Sequence, residues 1–130
     1  MTALPVESYP LFDGIEFASI GTLLPNGWPH LAVGWIARDG DDVLISTVKG
    51  RRTHLNLVSD PRITVLVRPE ANPYSYIEVR GTATLTEEAG RELIDALALK
   101  YRGWERYPAD DGTDNVRVVV RITPEKVVFH

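Results

Sequence analysis

Runs of strand-forming residues at close spacing constrain the fold of this chain more than any other feature. The runs are rich in β-branched and aromatic residues, and turn-forming residues separate most of them. Strands are predicted over 17–24, 30–38, 43–47, 63–67, 76–85 and 116–122, with the apolar tail 127–129 as a seventh candidate. This pattern predicts the mainly β class: a six- to seven-stranded antiparallel β-barrel, closed or nearly closed, with Greek-key-like connections.

Several local signals complete the predicted fold. The segment 30–38 is apolar on both faces, which predicts a strand covered on two sides. Thr123-Pro124 is predicted as a turn before the tail. One long helix is predicted with Thr86 as its N-cap, Glu87 and Glu88 in its first turn, and Gly103 at its end. With 130 residues and no linker composition, the chain is predicted to be a single domain over 1–130.

Composition narrows the classes of function. The net charge of −4 argues against broad nucleic-acid binding, which needs a basic face. The chain has no cysteine, which fits a cytoplasmic protein. The first residues resemble no signal peptide, and no apolar run approaches the roughly 20 residues of a membrane span. We therefore expect a cytoplasmic protein with no nucleic-acid and no membrane partner.

The sequence contains no pattern typical of a metal site or a nucleophile. His30, His54 and His130 are far apart and fit no ligand spacing. Aspartates at 39, 41 and 42 lack the glutamate and glycine spacing of a calcium loop, so we interpret them as charges at a hairpin tip. No GxSxG motif is present. We expect no metal and no catalytic triad.

The segment "STVKGRRTHLNLVSDPR" is unusual because Lys49, Arg51 and Arg52 come just where a helix is predicted to begin. Cations are unfavourable at that end, because the helix dipole makes it partly positive. One interpretation is pairing with the hairpin aspartates, but exposed pairs contribute only about 0–1 kcal/mol each. A bound anion explains the segment better, since helix-start amides, arginines and hydroxyls all bind phosphate or carboxylate. The hydroxyls belong to Ser46, Thr47 and Thr53, and Gly50 permits close backbone approach.

Aromatic residues form a second group of candidates. Tyr74, Tyr76, Trp104 and Tyr107 lie in loops or at strand ends. They suit stacking on a planar ligand, or packing at the rim of the barrel, and the sequence alone favours neither.

Three ordered segments carry a resemblance over nearly the whole chain: "FASIGTLLPNGWPHLAVGWIARDGDDVLISTVKGRRTHLNLVSDPRITVLV", "NPYSYIEVRGTATLT" and "VRVVVRITPEKVVF". The chain resembles the flavin/deazaflavin oxidoreductase superfamily of FMN-binding split β-barrels, which includes pyridoxamine 5′-phosphate oxidase. Within it, the small actinobacterial enzymes that use coenzyme F-420 are the most similar. The resemblance implies a homodimer with a cofactor in each of two grooves between the subunits. It also implies that the residues after the third strand hold the cofactor phosphate: Ser46, Thr47, Lys49, Arg51 and Arg52.

The resemblance implies hydride transfer between reduced coenzyme F-420 and an unsaturated or conjugated small organic substrate. Many relatives have a lysine where this chain has Thr53, which can donate a hydrogen bond but carries no charge. Trp35, Tyr74 and Tyr76 are the candidates to face the ring or the substrate, and Tyr76 is the candidate proton donor. Two alternatives stay open: an FMN-dependent oxidase or reductase, and a non-catalytic protein that binds a cofactor or a tetrapyrrole.

Overall fold

The structure, a computed structural model, describes residues 2–130. Its strands are β1 (Ala18–Leu23), β2 (Pro29–Gly34), β3 (Ala37–Asp39), β4 (Asp42–Val48), β5 (Arg62–Val67), β6 (Ile77–Thr86) and β7 (Arg117–Phe129). Its α-helices are α1 (Tyr9–Asp13), α2 (Arg52–Ser59) and α3 (Gly90–Arg102). Short 3₁₀ turns lie at Val6–Ser8 and Pro108–Asp110.

The strands form one antiparallel sheet in the order β2-β1-β5-β6-β7-β4-β3. The predicted mainly β fold, an antiparallel split barrel with one long helix, is confirmed. The alternation that predicted β6 is seen in its burial, since Ile77 and Val79 are fully buried and the intervening Glu78 is not. The core fills the inside of the curved sheet, and its fully buried aliphatic members include Val43, Ile45, Val65, Val120 and Ile122.

The predicted strand over 30–38 is divided in two. The backbone of Ile36 bonds to helix α3 instead of a neighbouring strand: its N–H donates to the Tyr101 hydroxyl at 3.1 Å. Its carbonyl accepts from Lys100 Nζ. The chain therefore turns at Trp35 and Ile36, and β3 begins at Ala37. Only the inward face of β2 is covered within the chain, because Leu31 and Val33 on the outward face are each 74% exposed.

The turn predicted at Thr123-Pro124 is also wrong, because β7 runs unbroken through both residues. A register shift between Arg80 and Gly81 of β6 accommodates them. Such a bulge explains how proline, which has no N–H to donate, lies within a paired strand. At this point a side chain on Gly81 would be only 2.2 Å from the Thr123 carbonyl oxygen, so the backbones approach more closely than any other residue allows.

The long helix begins later than predicted. Thr86 is the last residue of β6, and its Oγ1 accepts from the Glu88 N–H at 3.1 Å, so Glu87 and Glu88 lie in a turn before the helix. Helix α3 has Ala89 at its N-cap. It ends at Gly103 as predicted, with a φ of +72° and the Gly103 N–H donating to Leu99.

The two shorter helices each contribute a side chain to the core. Phe12 of α1 is completely buried in the core, and Leu57 attaches α2 to it. The longest described helix, α3, has 13 residues. No helix within residues 2–130 is long and apolar enough to span a membrane.

Candidate functional site

A groove opens between β2 and β4, where the barrel is split. Among residues 2–130, β2 pairs with β1 alone, whereas β4 pairs with β3 and β7. The space between them has a volume of about 310 Å³. Residues of both strands line it: His30, Ala32, Val33 and Gly34 from β2, and Ile45, Ser46 and Thr47 from β4.

One end of the groove is basic, and we call it the basic end. It is formed by Arg51, Arg52, Thr53 and Arg117, beside the Ser46 and Thr47 hydroxyls. A tight turn positions the first of these: Gly50 has a φ of +92°, and the Arg51 N–H donates to the Val48 carbonyl at 3.0 Å.

Helix α2 begins at the basic end without a side-chain cap. Arg51 is its N-cap residue and makes no capping hydrogen bond. The first amides of a helix have no acceptor within the helix, so those of α2 are available to an anion. Just before the helix, the Gly50 N–H donates to His54 Nδ1 at 3.0 Å.

The hairpin aspartates are not the partners of the basic segment. Arg121 of β7 pairs with Asp39 at 3.1 Å and with Asp42 at 3.0 Å. Asp41 accepts a hydrogen bond from the Leu4 N–H at 3.1 Å. No ion pair involves Arg51 or Arg52 in the part of the chain that the structure describes. Their charges are therefore not compensated by the hairpin.

Lys49, predicted with the arginines, lies outside the groove. Its Nζ pairs with Glu87 at 3.0 Å, and both side chains are more than half exposed. The Lys49 backbone N–H donates to the Val116 carbonyl at 2.9 Å, which fixes its side chain beside the turn before α3. The structure therefore separates one of the three cations from the other two.

Arg117 was missed by sequence reasoning, although it lines the groove. Its Nε donates to Asp110 Oδ2 at 2.6 Å and its Nη2 to Asp110 Oδ1 at 3.1 Å, while its Nη1 lies 3.5 Å from Ser46 Oγ. The Arg117 hydrogen bond holds the pKa of Asp110 below its usual value, although burial opposes the shift. No local motif marks this pair, because the fold brings a loop residue onto the first residue of β7.

The other end of the groove is apolar and aromatic, and we call it the aromatic end. It too has a volume of about 310 Å³, and both parts of the groove are lined by Val33, Gly34, Ser46, Arg51 and Arg117. The groove is therefore continuous. The additional lining residues are Phe17, Trp35, Ile94, Leu97 and Tyr107.

Trp35 is held by aromatic contacts on two sides. It stacks on Tyr101 with a centroid distance of 5.3 Å and an interplanar angle of 11°, and it lies perpendicular to the Tyr107 ring with a centroid distance of 5.9 Å. The Tyr101 hydroxyl donates to the Glu16 carbonyl at 2.6 Å, and burial raises its pKa. These contacts fix the orientation of the Trp35 ring at the aromatic end.

Tyr74 and Tyr76 do not reach the groove of their own chain. Tyr74 is 85% exposed in the loop before β6. The Tyr76 ring packs against His130 at a centroid distance of 4.7 Å, and its carbonyl accepts from the His130 N–H. Of the nine predicted site residues, the structure brings together six: Trp35, Ser46, Thr47, Arg51, Arg52 and Thr53.

His30 is a further titratable group in the groove. Its Nδ1 is buried and has no hydrogen-bond partner among the described residues. It does not belong to a metal cluster, since residues 2–130 hold no group of three His, Asp or Glu side chains arranged for a metal ion.

A split antiparallel barrel with a groove at its opening, basic at one end and aromatic at the other, is the architecture of the flavin/deazaflavin split-barrel class. Residues 7–130 match the family model described as pyridoxamine 5′-phosphate oxidase, and the chain belongs to this family. No protein in the curated collection matches it.

Several solved structures share the fold. An F-420 reductase is 23% identical, with 96% of this chain and 98% of that chain covered and a TM-score of 0.84. A conserved hypothetical protein from Mycobacterium tuberculosis is 21% identical, with coverage of 98% and 84% and a TM-score of 0.78. A putative pyridoxamine 5′-phosphate oxidase from Listeria innocua is 18% identical, with coverage of 92% and 90% and a TM-score of 0.68. At these identities the likeness concerns the fold.

Proposed function

We propose that this chain is an oxidoreductase that binds coenzyme F-420 in the groove and transfers hydride to an unsaturated or conjugated small organic substrate. The family to which it belongs contains oxidoreductases that use flavin-type cofactors. The observation that carries the proposal is the continuity of the groove, which joins the basic end to the aromatic end. A cofactor with a phosphate at one end and a planar ring at the other matches this arrangement.

The phosphate would lie at the basic end. The Arg51 guanidinium, the Ser46 and Thr47 hydroxyls and the uncapped first turn of α2 offer donors of three kinds. Charge-assisted hydrogen bonds of this type are about twice as strong as neutral ones. Thr53 contributes a hydroxyl where many relatives carry a lysine, so the charge must come from the arginines.

The ring would lie at the aromatic end, against Trp35 and Tyr107. The cofactor supplies the hydride chemistry when it is bound, so the protein needs to bind, orient and exclude water. Trp35, fixed by Tyr101, provides a rigid wall for this purpose.

We further propose a homodimer with the two grooves between the subunits. Leu31 and Val33 on the outward face of β2 support it, because they give the chain an exposed apolar sheet face. Tyr74 and Tyr76 lie outside the groove of their own chain, so their proposed roles, including Tyr76 as proton donor, require the groove of the other subunit.

The choice of F-420 over FMN rests on the resemblance to the F-420-dependent enzymes, and charge beyond the phosphate adds a smaller argument. F-420 carries an additional lactyl-oligoglutamate tail with several carboxylates. Arg52 lies at the basic end and is exposed, so it offers such a tail a cation. FMN stays the alternative cofactor: a protein purified yellow would favour it, whereas the F-420 proposal expects a colourless protein from a host without that coenzyme.

The test is titration of the protein with F-420 and FMN, using a matched set of variants. Replacing Arg51 and Arg52 together by Ala should weaken binding, by roughly 1.5–3 kcal/mol for each charge-assisted hydrogen bond lost. Lys49→Ala is the control, because its exposed pair with Glu87 lies outside the groove, and it should cost at most about 1 kcal/mol. Unchanged affinity in the double variant would exclude the basic end as the phosphate site.

Turnover separates the enzyme from a non-catalytic binder. Reduced cofactor should be oxidised in the presence of at least one member of a panel of enones, quinones and tetrapyrroles. Tight binding without oxidation by any of them would favour the binder.

A further inference from the structure

Arg117 is held differently from the other cations of the groove. Its side chain is only 8% exposed, whereas Arg51 and Arg52 are exposed residues at the start of α2. It lines both ends of the groove, so it lies where the basic end meets the aromatic end. A guanidinium at this position meets the middle of any ligand that spans the groove.

Asp110 fixes the direction in which this guanidinium donates. It engages Nε at 2.6 Å and Nη2 at 3.1 Å, so the fork of Arg117 is held on one side. The carboxylate is itself 6% exposed and is held by Asn115 Nδ2 at 2.9 Å. Nη1 remains, and its only protein neighbour within hydrogen-bond reach in residues 2–130 is Ser46 Oγ, at 3.5 Å. That contact is at the limit of a hydrogen bond, so Nη1 keeps donor capacity for a ligand.

We propose that Arg117 Nη1 and Ser46 Oγ bind an oxygen of the cofactor phosphate on the side of the basic end that faces the ring, as a second set of contacts beside those of Arg51. Asp110 is the positioning residue, because it holds the guanidinium in place without touching the ligand. This inference rests on the proposed function and adds to it a binding residue that the sequence did not reveal. A preformed donor is effective because little side-chain freedom is lost on binding.

A second arginine of β7, Arg121, serves as the control for substitutions of Arg117. Arg121 follows Arg117 by four residues, so it projects from the same face of β7. It too is paired with aspartates, Asp42 at 3.0 Å and Asp39 at 3.1 Å, but it does not line the groove. Loss of Arg121 thus reports what the loss of a paired arginine costs the fold alone.

The experiment measures dissociation constants for FMN and F-420, each compared with its counterpart that lacks the phosphate, such as riboflavin for FMN. For FMN, the ratio of the two constants isolates the phosphate contribution from any general damage to the groove. For F-420, the ratio also includes the tail, which is attached through the phosphate. Arg117→Met should reduce this ratio at least about tenfold, a loss of about 1.4 kcal/mol. Asp110→Asn should reduce it several-fold, since Arg117 is then less firmly held. Arg117→Lys should restore part of the loss, and Arg121→Met should leave the ratio unchanged.

The outcomes distinguish failure of this inference from failure of the proposed function. If the wild-type ratio shows phosphate dependence and Arg117→Met leaves it intact, the inference is wrong while the proposed function stands. If the wild-type protein binds neither cofactor, both are wrong. Should Arg117→Met fail to fold by circular dichroism, the comparison of Asp110→Asn with wild type decides, and an unchanged ratio there overturns the inference.

Discussion

Lys100 is a half-buried cation whose protonation should affect the stability of the fold. Its Nζ donates to the Phe12 carbonyl at 2.7 Å and to the Ile36 carbonyl, so it connects α3 to α1 and to the break between β2 and β3. Burial lowers the pKa of Lys100 from 10.5 to about 8, while the charge of Asp13 opposes the shift. The folded protein therefore binds this proton less tightly than the unfolded chain does.

The lowered pKa of Lys100 makes the stability of the protein depend on pH. Between the folded pKa of about 8 and the unfolded pKa of 10.5, the unfolded chain holds more protons, so the free energy of unfolding rises with pH in this window. We expect Lys100→Met to lose this rise. Urea unfolding at pH 7.5 and pH 9.5 measures it, with the exposed Lys126 changed to Met as the control. Equal pH dependence in Lys100→Met and wild type would contradict the assignment.

At the scale of an element, the start of α3 depends on two adjacent residues with opposite requirements. Ala89 has a φ of 61°, in the left-handed region that favours glycine. A side chain on Gly90 would lie 2.1 Å from the Arg117 carbonyl oxygen, because the helix meets the backbone of β7 there. The first residue is strained by its side chain, and the second has no room for one.

Single substitutions at these two positions should therefore change the free energy of unfolding in opposite directions. We expect Ala89→Gly to stabilise the protein by up to about 1 kcal/mol, by relief of strain. Gly90→Ala should destabilise it by about 1–3 kcal/mol, as overpacking does. It should also weaken cofactor binding, because Ile94 and Leu97 of α3 line the aromatic end. Chemical denaturation of both variants measures the difference, and a shift of the same sign in both would contradict this account.

The elements that sequence predicted well depend on local pattern, and the errors arise from distant contacts. Ile77 and Val79 alternate with polar neighbours, so β6 could be assigned without knowing what covers it. The break at Ile36 depends on Lys100 and Tyr101, more than sixty residues away in the chain. Pro124 signals a turn in sequence, but the bulge opposite Gly81 lets the strand continue.

The residues of the candidate site likewise differ in whether a local pattern reveals them. Arg51 and Arg52 are conspicuous in the sequence because cations are unfavourable at a helix start. Arg117 has an ordinary place at the beginning of a strand, and only the folded chain brings it to Ser46 and Asp110. Lys49 carries the same local signal as the arginines, yet its pair with Glu87 directs it away.

At the scale of the whole molecule, the outward face of β2 predicts association. Leu31 and Val33 project from it beside Gly21 and Ser19 of β1, their register partners. Small neighbours leave both apolar side chains 74% exposed. In a two-fold dimer each substitution occurs twice, so a charge placed there is introduced on both sides of the interface.

We therefore expect Leu31→Lys combined with Val33→Lys to give a monomer. Light scattering after size-exclusion chromatography measures the mass, and the wild-type protein should run at twice the mass of the 14.5 kDa chain. Leu99→Lys on the outer face of α3 is the control and should leave the mass unchanged. A variant of β2 that keeps the wild-type mass would place the interface elsewhere.

The order of the strands in the sheet bears on how far the width of the groove can change. The walls of the groove, β2 and β4, are separated by five strand interfaces along the ladder. Small changes in twist at the five interfaces would add together. The groove could then widen while each hydrogen-bonded pair of strands stays nearly unchanged. Trp35 and Ile36 join β2 to β3 covalently, and β3 is paired with β4. We expect this connection to restrain one end of the groove, so that any widening is greatest at the opposite end, beside α2.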